Sequence, residues 1–200
     1  AVGGTHRPDQ VVVAGHHHLI VTVGTANGSH RFDQVVMACH SDQTLALLAD
    51  ADPRERDCLA DLRYQANDVV LHTDTAMLPK RRRVWSSWNA LLGRTDDAEP
   101  VQVTYNMNIL QGFQAPETFC VTLNAGDRIR PETVIRREVF YHPLFTTEGL
   151  LARERLLAGN GDNRTWFCGA WCRNGFHEDG VVSALDVVEG IGARAPGAAL

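Results

Sequence analysis

No apolar run in this 200-residue chain approaches the length of about 18 residues that a membrane-spanning helix needs. Residues 1–30 also lack a signal peptide's order of basic start, apolar stretch and small-residue cleavage site. Both absences lead us to expect a cytoplasmic protein with no transmembrane segment. A strong charge of either sign is missing too: the net charge is −5 and the pI is near 6.0. That balance gives no electrostatic reason to expect nucleic acid or anionic lipid as a general partner. The five cysteines (Cys39, Cys58, Cys120, Cys168 and Cys172) are odd in number and widely scattered. They do not read as a disulfide framework, and reduced thiols are expected. A GxSxG elbow is absent, which argues against an α/β-hydrolase. Internal repeats and low-complexity tracts are absent as well.

What is present is a mixture of strand and helix signals, with 44% apolar residues to build a core. Near the start, Val11 to Ala14 and Leu19 to Val23 are β-rich runs, and Asn27-Gly28 marks a hairpin. Val35 to Ala38 is an apolar run of the kind that forms a buried parallel strand. Ser41 is the expected N-cap of a helix running through Leu48. Asp52-Pro53 restarts a helix to Leu62, with proline tolerated in its first turn. Strands are expected over 67–73, 101–105 and 119–123, with a helical turn over 106–111. Pro131-Glu132 opens a further element before Val139-Phe-Tyr141, and residues 148–158 form a helix. At the far end Thr165 to Ala170 is a strand, residues up to Gly180 a loop, and Val181 to about Ile191 a helix. Both ends therefore read as strand, turn and helix around a strand-rich middle with its own aromatics. The expected fold class is α/β, mixed, with one layer formed by the two ends and a mixed-sheet domain between.

Six segments carry a resemblance, in order: residues 32–43 (FDQVVMACHSDQ), 71–75 (LHTDT), 85–89 (WSSWN), 103–108 (VTYNMN), 119–124 (FCVTLN) and 175–180 (GFHEDG). They resemble a family of bacterial FAD-dependent, amine-oxidase-like oxidoreductases associated with cyclopropane or methylated fatty-acid synthesis. The resemblance covers roughly residues 30 to 190. It implies FAD as cofactor, hydride removal from a C–C or C–N bond, and a small-molecule or acyl substrate. It also implies a Rossmann-like layer made by the two ends: residues 1–50 as the end of an FAD-binding domain, 51–158 as a substrate-binding domain, 159–195 as the return, and 196–200 as a tail. Relatives open with a GxGxxG fingerprint whose helix N-terminus holds the FAD pyrophosphate. Gly3-Gly4, Gly15, Gly24 and Gly28 do not give that spacing. We therefore expect a C-terminal portion whose partner is the missing GxGxxG segment of the same protein. Residues 1–200 alone are expected to retain FAD weakly or not at all.

By the same resemblance, FAD contacts are implied at Ala38, Cys39 and His40, and at Gly169, Gly175, His177, Glu178, Asp179, Gly180 and Val181. A helix N-terminus beginning near Gly180 has unpaired N–H groups and the positive end of the helix dipole. The plainer alternative is a helix end capped by Asp179 with Glu178 solvated. For residues 38–40 the alternative is a small-residue turn at a domain edge. Trp85, Trp88, Tyr105 and Phe119 are implied to line the substrate site and exclude water; ordinary core packing is the alternative. His142 and His177 are the candidate proton acceptors, either of which could be a structural histidine. Gly169-Ala-Trp-Cys-Arg-Asn174 departs from the family's aromatic pattern at Arg173 and Asn174. Cys168, Cys172, His177 and the triplet His16-His17-His18 do not make a convergent zinc set, so no metal is expected. Lys80-Arg81-Arg82-Arg83 matches a lipid phosphate or an acyl carrier's acidic surface, or else is a solvated loop. The competing class for the whole chain is a non-catalytic binding or scaffold protein that keeps the fold without the cofactor.

Overall fold

The computed structural model describes residues 11–17, 20–91 and 101–194. His18, the third of the triplet, and the 196–200 tail lie outside the described residues. Two compact units are formed, one from residues 65–142 and the other from the chain up to residue 64 with residues 143 onward.

In the unit built from the two ends, β1 (Val11–His17), β2 (Ile20–Thr25) and β3 (Gly28–Phe32) form an antiparallel meander. Thr25 pairs with Gly28, so Ala26 and Asn27 make the two-residue turn, one position earlier than an Asn-Gly centre. Thr25 Oγ1 stabilises that turn by donating to the Gly28 carbonyl (3.0 Å) and accepting from Asn27 N–H (3.2 Å). The apolar run after it forms β4 (Val35–Met37). This strand pairs in parallel with β10 (Thr165–Phe167), Val36 opposite Trp166. A parallel pair of this kind needs a long crossover, and here residues 38–164 supply it.

Three helices pack on this frame. The helix α1 (Ser41–Leu47) starts where expected, but its N-cap is His40. Ser41 is buried, its amide donating to Tyr64 Oη (3.1 Å) and its hydroxyl to the Leu62 carbonyl (3.2 Å). A hydroxyl held by a neighbouring segment is not available to its own helix end. By contrast Asp52 caps α2 (Pro53–Asp61) as the sequence suggests: its carboxylate accepts from Glu55 N–H (2.7 Å) and Glu55 accepts from Asp52 N–H (2.9 Å). The helix α4 (Thr147–Ala158) is capped by Thr146, and packs on α2. Leu59, Leu156, Phe167, Met37, Val21 and Trp171 are central to this unit's main core.

The helix α5 (His177–Arg194) begins four residues before the expected Val181. Phe176 N–H donates to Asp179 Oδ2 (2.9 Å), the back-reaching half of a capping box, and Glu178 and Asp179 sit in the first turn. His-Glu-Asp-Gly reads as loop by composition, yet acidic residues are favoured at this end of a helix. Along its inner face Val187, with Ala184 and Ile191 beside it, packs on Trp166 and Cys168.

The middle unit holds a five-stranded sheet in the order β6 (Trp88–Leu91), β7 (Gln102–Asn106), β8 (Cys120–Leu123), β5 (Tyr64–His72), β9 (Val134–Pro143). The pairs β6–β7, β7–β8 and β8–β5 are antiparallel. A short helix α3 (Met107–Gln111), capped by Asn106, follows β7. The residues around Val139 belong to a strand of ten residues, longer than the sequence suggests. All five cysteines are free thiols. No helix among the described residues is long and apolar enough to cross a membrane.

Candidate functional site

The parallel pairing decides where the first set of candidate residues meets. Because β4 and β10 run the same way, the segments leaving them, residues 38–40 and 168–170, emerge side by side. Cys168 N–H donates to the Met37 carbonyl (3.1 Å) and Trp171 Nε1–H to the Cys39 carbonyl (3.0 Å). The carboxyl ends of adjacent parallel strands are where α/β sheets bind ligands.

Gly169 makes the turn possible, with φ 143° and ψ 166°. Its N–H donates to Ser183 Oγ (2.9 Å), and that hydroxyl donates to the Gly180 carbonyl (2.8 Å), so the turn is tied to the first turns of α5. Residues 170–172 form a single 3-10 turn, and Gly175 N–H returns to the Ala170 carbonyl (3.0 Å). Ala38, Cys39, His40, Gly169, Gly175, His177, Glu178, Asp179, Gly180 and Val181 thus all belong to one unit; Ser183 links Gly169 to Gly180, and Trp171 ties the same turn to Cys39. The segment 173–178 is exposed, Phe176 most of all. His40 stacks on Tyr64 with ring centroids 4.5 Å apart, and burial pushes the Tyr64 hydroxyl's pKa up. Burial likewise raises Cys168, and raises Cys172 to about 12, so both stay protonated thiols at neutral pH.

Beside this turn a cleft of about 660 Å³ opens between α4 and α5, its lining including Arg153, Cys172, Arg173, Asn174, Ser183 and Asp186. Arg173, one of the two departures from the family pattern, is paired with Asp186 at 2.8 Å. Its backbone carbonyl accepts from Arg153. Sequence reasoning did not single out Arg153, Ser183 or Asp186. Nothing in residue type marks them; α4 carries Arg153 to the site, and the return of α5 over β10 brings Ser183 and Asp186.

Whether these residues suit FAD can be tested on Gly180. It lies inside α5 with ordinary helical backbone, and a Cβ built there would meet only the Ala170 amide nitrogen, at 3.7 Å. The fold has room for a side chain at this position, and glycine in a helix costs about 0.5–1 kcal/mol relative to alanine. A glycine the chain does not need, at a helix N-terminus beside two strand ends, suits close approach by a ligand. Glu178 and Asp179 refine the chemistry. Two carboxylates at the helix start repel a pyrophosphate, but accept hydrogen bonds from the hydroxyls of a ribityl chain. The residues present fit the flavin and ribityl end of FAD.

The middle unit presents a different surface. Register places Trp88 opposite Tyr105, Tyr105 opposite Val121, and Val121 opposite Leu71. Ala90, Val103, Leu123 and Val69 form the next row on the same face. This apolar face is half-exposed, and a hollow of about 510 Å³ lies over Val69, Leu71, Val121, Val139 and Phe140, edged by the ion pair Arg136–Glu138 (2.7 Å). The opposite face is the buried one, although it carries Gln102, Thr104, Asn106, Thr122 and His72. Gln102 Oε1 is buried without a hydrogen-bond partner, whereas the polarity around His72 is satisfied in series. Asp74 N–H donates to His72 Nδ1 (3.1 Å), which puts the imidazole proton on Nε2; that nitrogen donates to Thr122 Oγ1 (2.7 Å), and Thr122 to Thr104 (3.0 Å). Burial lowers the His72 pKa despite the nearby Asp74 charge. Burial alone would raise Asp74, but hydrogen bonds from the Arg130 side chain and backbone and from Ala76 N–H outweigh it and hold the carboxyl below the usual range.

Of the four candidate substrate aromatics, Trp88 and Tyr105 are therefore neighbours on the open face. Phe119 precedes β8, its ring 6.2 Å from Phe113. Trp85 is held apart by its indole bond to the Pro79 carbonyl (2.8 Å). His142 belongs to the middle unit, where Asn67 Nδ2 approaches its Nδ1 at 2.9 Å. Asn67 Oδ1 accepts from Asn124 (2.8 Å), which fixes the amide's orientation and makes His142 Nδ1 an acceptor. The neutral ring then presents Nε2–H, a donor. His177, the other candidate, is exposed at the first position of α5.

No family model matches the chain, and no curated protein matches it. Solved structures do. A protein from Exiguobacterium sp. 255-15 assigned as a protoporphyrinogen oxidase superposes with a TM-score of 0.59 at 12% identity, over 91% of this chain and 46% of its own. The CLA-producing fatty acid isomerase from P. acnes gives 0.57 at 13% identity, over 90% and 46%. Cyclohexylamine oxidase from Brevibacterium oxydans IH-35A gives 0.55 at 14%, over 92% and 48%. The chain spans about half the length of the structures it matches, and it shares their mixed α/β fold.

Proposed function

We propose that this chain is the C-terminal part of an FAD-dependent oxidoreductase of the amine-oxidase/desaturase type, acting on a C–C or C–N bond of an apolar, fatty-acyl-type substrate. The observation that carries the reading is the junction at the ends of β4 and β10. There Trp171 bonds to the Cys39 carbonyl, Ser183 joins Gly169 to Gly180, and a Cβ at Gly180 would meet only the Ala170 amide nitrogen. Two of the similar structures are named for a fatty acid isomerase and an amine oxidase, which supports both halves of the substrate description.

Bound at this junction, FAD supplies the hydride acceptor. The chain's own residues would bind and orient it: the backbone of residues 38–40 and 169–170 would hold the cofactor, with the first-turn N–H groups of α5 and the Glu178 and Asp179 carboxylates as its polar partners. In the middle unit, the Trp88–Tyr105–Val121–Leu71 row takes the apolar substrate and keeps water from it. His177 is the side chain available to take a proton; His142 can do so at Nε2 only after its tautomer changes.

The test is the chromophore. Purified full-length protein is expected to show a flavin band near ~450 nm that is released on denaturation. A colourless protein that takes up no added FAD would defeat the proposal and leave the binding or scaffold reading.

A further inference from the structure

The sequence run Lys80-Arg81-Arg82-Arg83 plays no part in the function proposed above, and the fold treats it as a built feature. Val84 N–H donates to the Arg81 carbonyl (3.0 Å) and Trp85 N–H to the Arg82 carbonyl (3.1 Å), closing a single 3-10 turn over Arg82–Val84. The Trp85 indole donates back to the Pro79 carbonyl (2.8 Å), which clamps the two ends of the segment together. Arg82 lies over the Trp85 ring at 4.9 Å, stiffening the turn from outside. Immediately after it, Ser86 is held by both ends of the Asn89 side-chain amide.

Those bonds hold four cations outward. Lys80, Arg81, Arg82 and Arg83 are all exposed, and among the described residues none of them forms an ion pair, whereas Arg54, Arg130, Arg136, Arg137, Arg155, Arg173 and Arg194 each do. In a chain of net charge −5, with carboxylates in excess, four neighbouring cations without a carboxylate partner stand out. On either side of the half-buried Trp85, Val84 and Trp88 are each 59% exposed.

We propose that this turn is a docking surface for an anionic phospholipid bilayer. A bilayer surface offers a plane of phosphates with an apolar layer directly beneath it. That sequence of chemistries fits a cationic turn followed by an exposed valine and an exposed tryptophan, a residue suited to the interface. An acidic protein surface would match the charge alone and leave Val84 and Trp88 in water. The inference rests on charge and exposure in the middle unit and is independent of the flavin reading.

The test is sedimentation of the full-length protein with vesicles of phosphatidylglycerol and phosphatidylcholine in about equal parts, against phosphatidylcholine alone. Arg81→Glu and Arg83→Glu leave the Arg82–Trp85 stack and the Trp85 clamp in place. Binding to the anionic vesicles and not to the neutral ones is expected, weakening about fivefold for each cation removed and more for reversal. Added salt is expected to weaken it further. The Val84→Ser variant should bind more weakly at unchanged charge. Equal sedimentation of the wild type and the double variant overturns the proposal, as does absence of wild-type binding. Capture by an acidic carrier protein with no affinity for vesicles overturns it too. Flavin content, read from absorbance of the same samples, should not change with these variants, so failure here is separate from failure of the oxidoreductase reading.

Discussion

Replacing Gly169 by alanine tests the junction at its tightest point. The residue sits at φ 143°, and a Cβ there would stand 2.9 Å from Trp171 Nε1. Holding an L-residue in that backbone region costs about 1–3 kcal/mol. The indole must also move, which breaks its bond to the Cys39 carbonyl and leaves a buried group unsatisfied, a further cost of about 1–3 kcal/mol. Gly169→Ala should therefore destabilise the full-length protein by about 2–6 kcal/mol. With a urea m-value of about 2 kcal/mol/M, the midpoint falls by about 1–3 M, read by far-ultraviolet circular dichroism. Trp171→Phe removes the N–H but keeps most of the ring, so combining the two should cost less than their sum, because the same bond is lost in each. A Gly169→Ala variant within about 0.5 kcal/mol of wild type would refute this account of the turn. So would strict additivity in the double variant.

Two further outcomes follow from the packing and the buried charges. Gly190 lies against Trp166, where a Cβ would fall 2.5 Å from the ring, so Gly190→Ala should cost about 1–3 kcal/mol in the same urea assay although alanine is the better helix former. His72 is held neutral by burial, its pKa lowered. Above about pH 6.5 both states carry a neutral ring; below it the unfolded chain binds a proton that the folded one does not, so stability falls with pH by up to about 1.4 kcal/mol per unit until the lower folded value is reached. His72→Gln should flatten that limb of the stability–pH curve, and an unchanged slope would count against the buried neutral ring. Asp74, depressed by Arg130, adds a second loss only below about pH 3.9, as pH falls through its folded value.

Much of this architecture was legible where local chemistry and tertiary context agree. The apolar run at Val35 became the parallel strand β4, Asp52-Pro53 opened α2 with its capping box, and residues 148–158 fell within α4. Legibility failed where distant partners decide. Ser41 carries the right hydroxyl for a cap, but Tyr64 and Leu62 claim it. The middle sheet buries its threonines and histidine, a polarity that Gln102 to Asn106 alone cannot announce, because it depends on His72 meeting Thr122 across fifty residues. Strand β9 is exposed along most of its length and lacks the alternation that marks a half-buried strand. Of the candidate site, the glycines and the acidic pair could be named from sequence; Ser183, which joins Gly169 to Gly180, could not.

Gly180 separates the cofactor reading from the fold itself. Replaced by alanine, it gains the better helix former where the added Cβ makes only an ordinary contact with the Ala170 amide nitrogen, and unfolding should shift upward by roughly 0.5–1 kcal/mol. If the strand ends and the start of α5 cradle a flavin, the same variant, purified at full length, should carry at least about tenfold less of it per chain, a loss of about 1.4 kcal/mol or more in binding. A Gly180→Ala protein with a full complement of flavin would contradict the account.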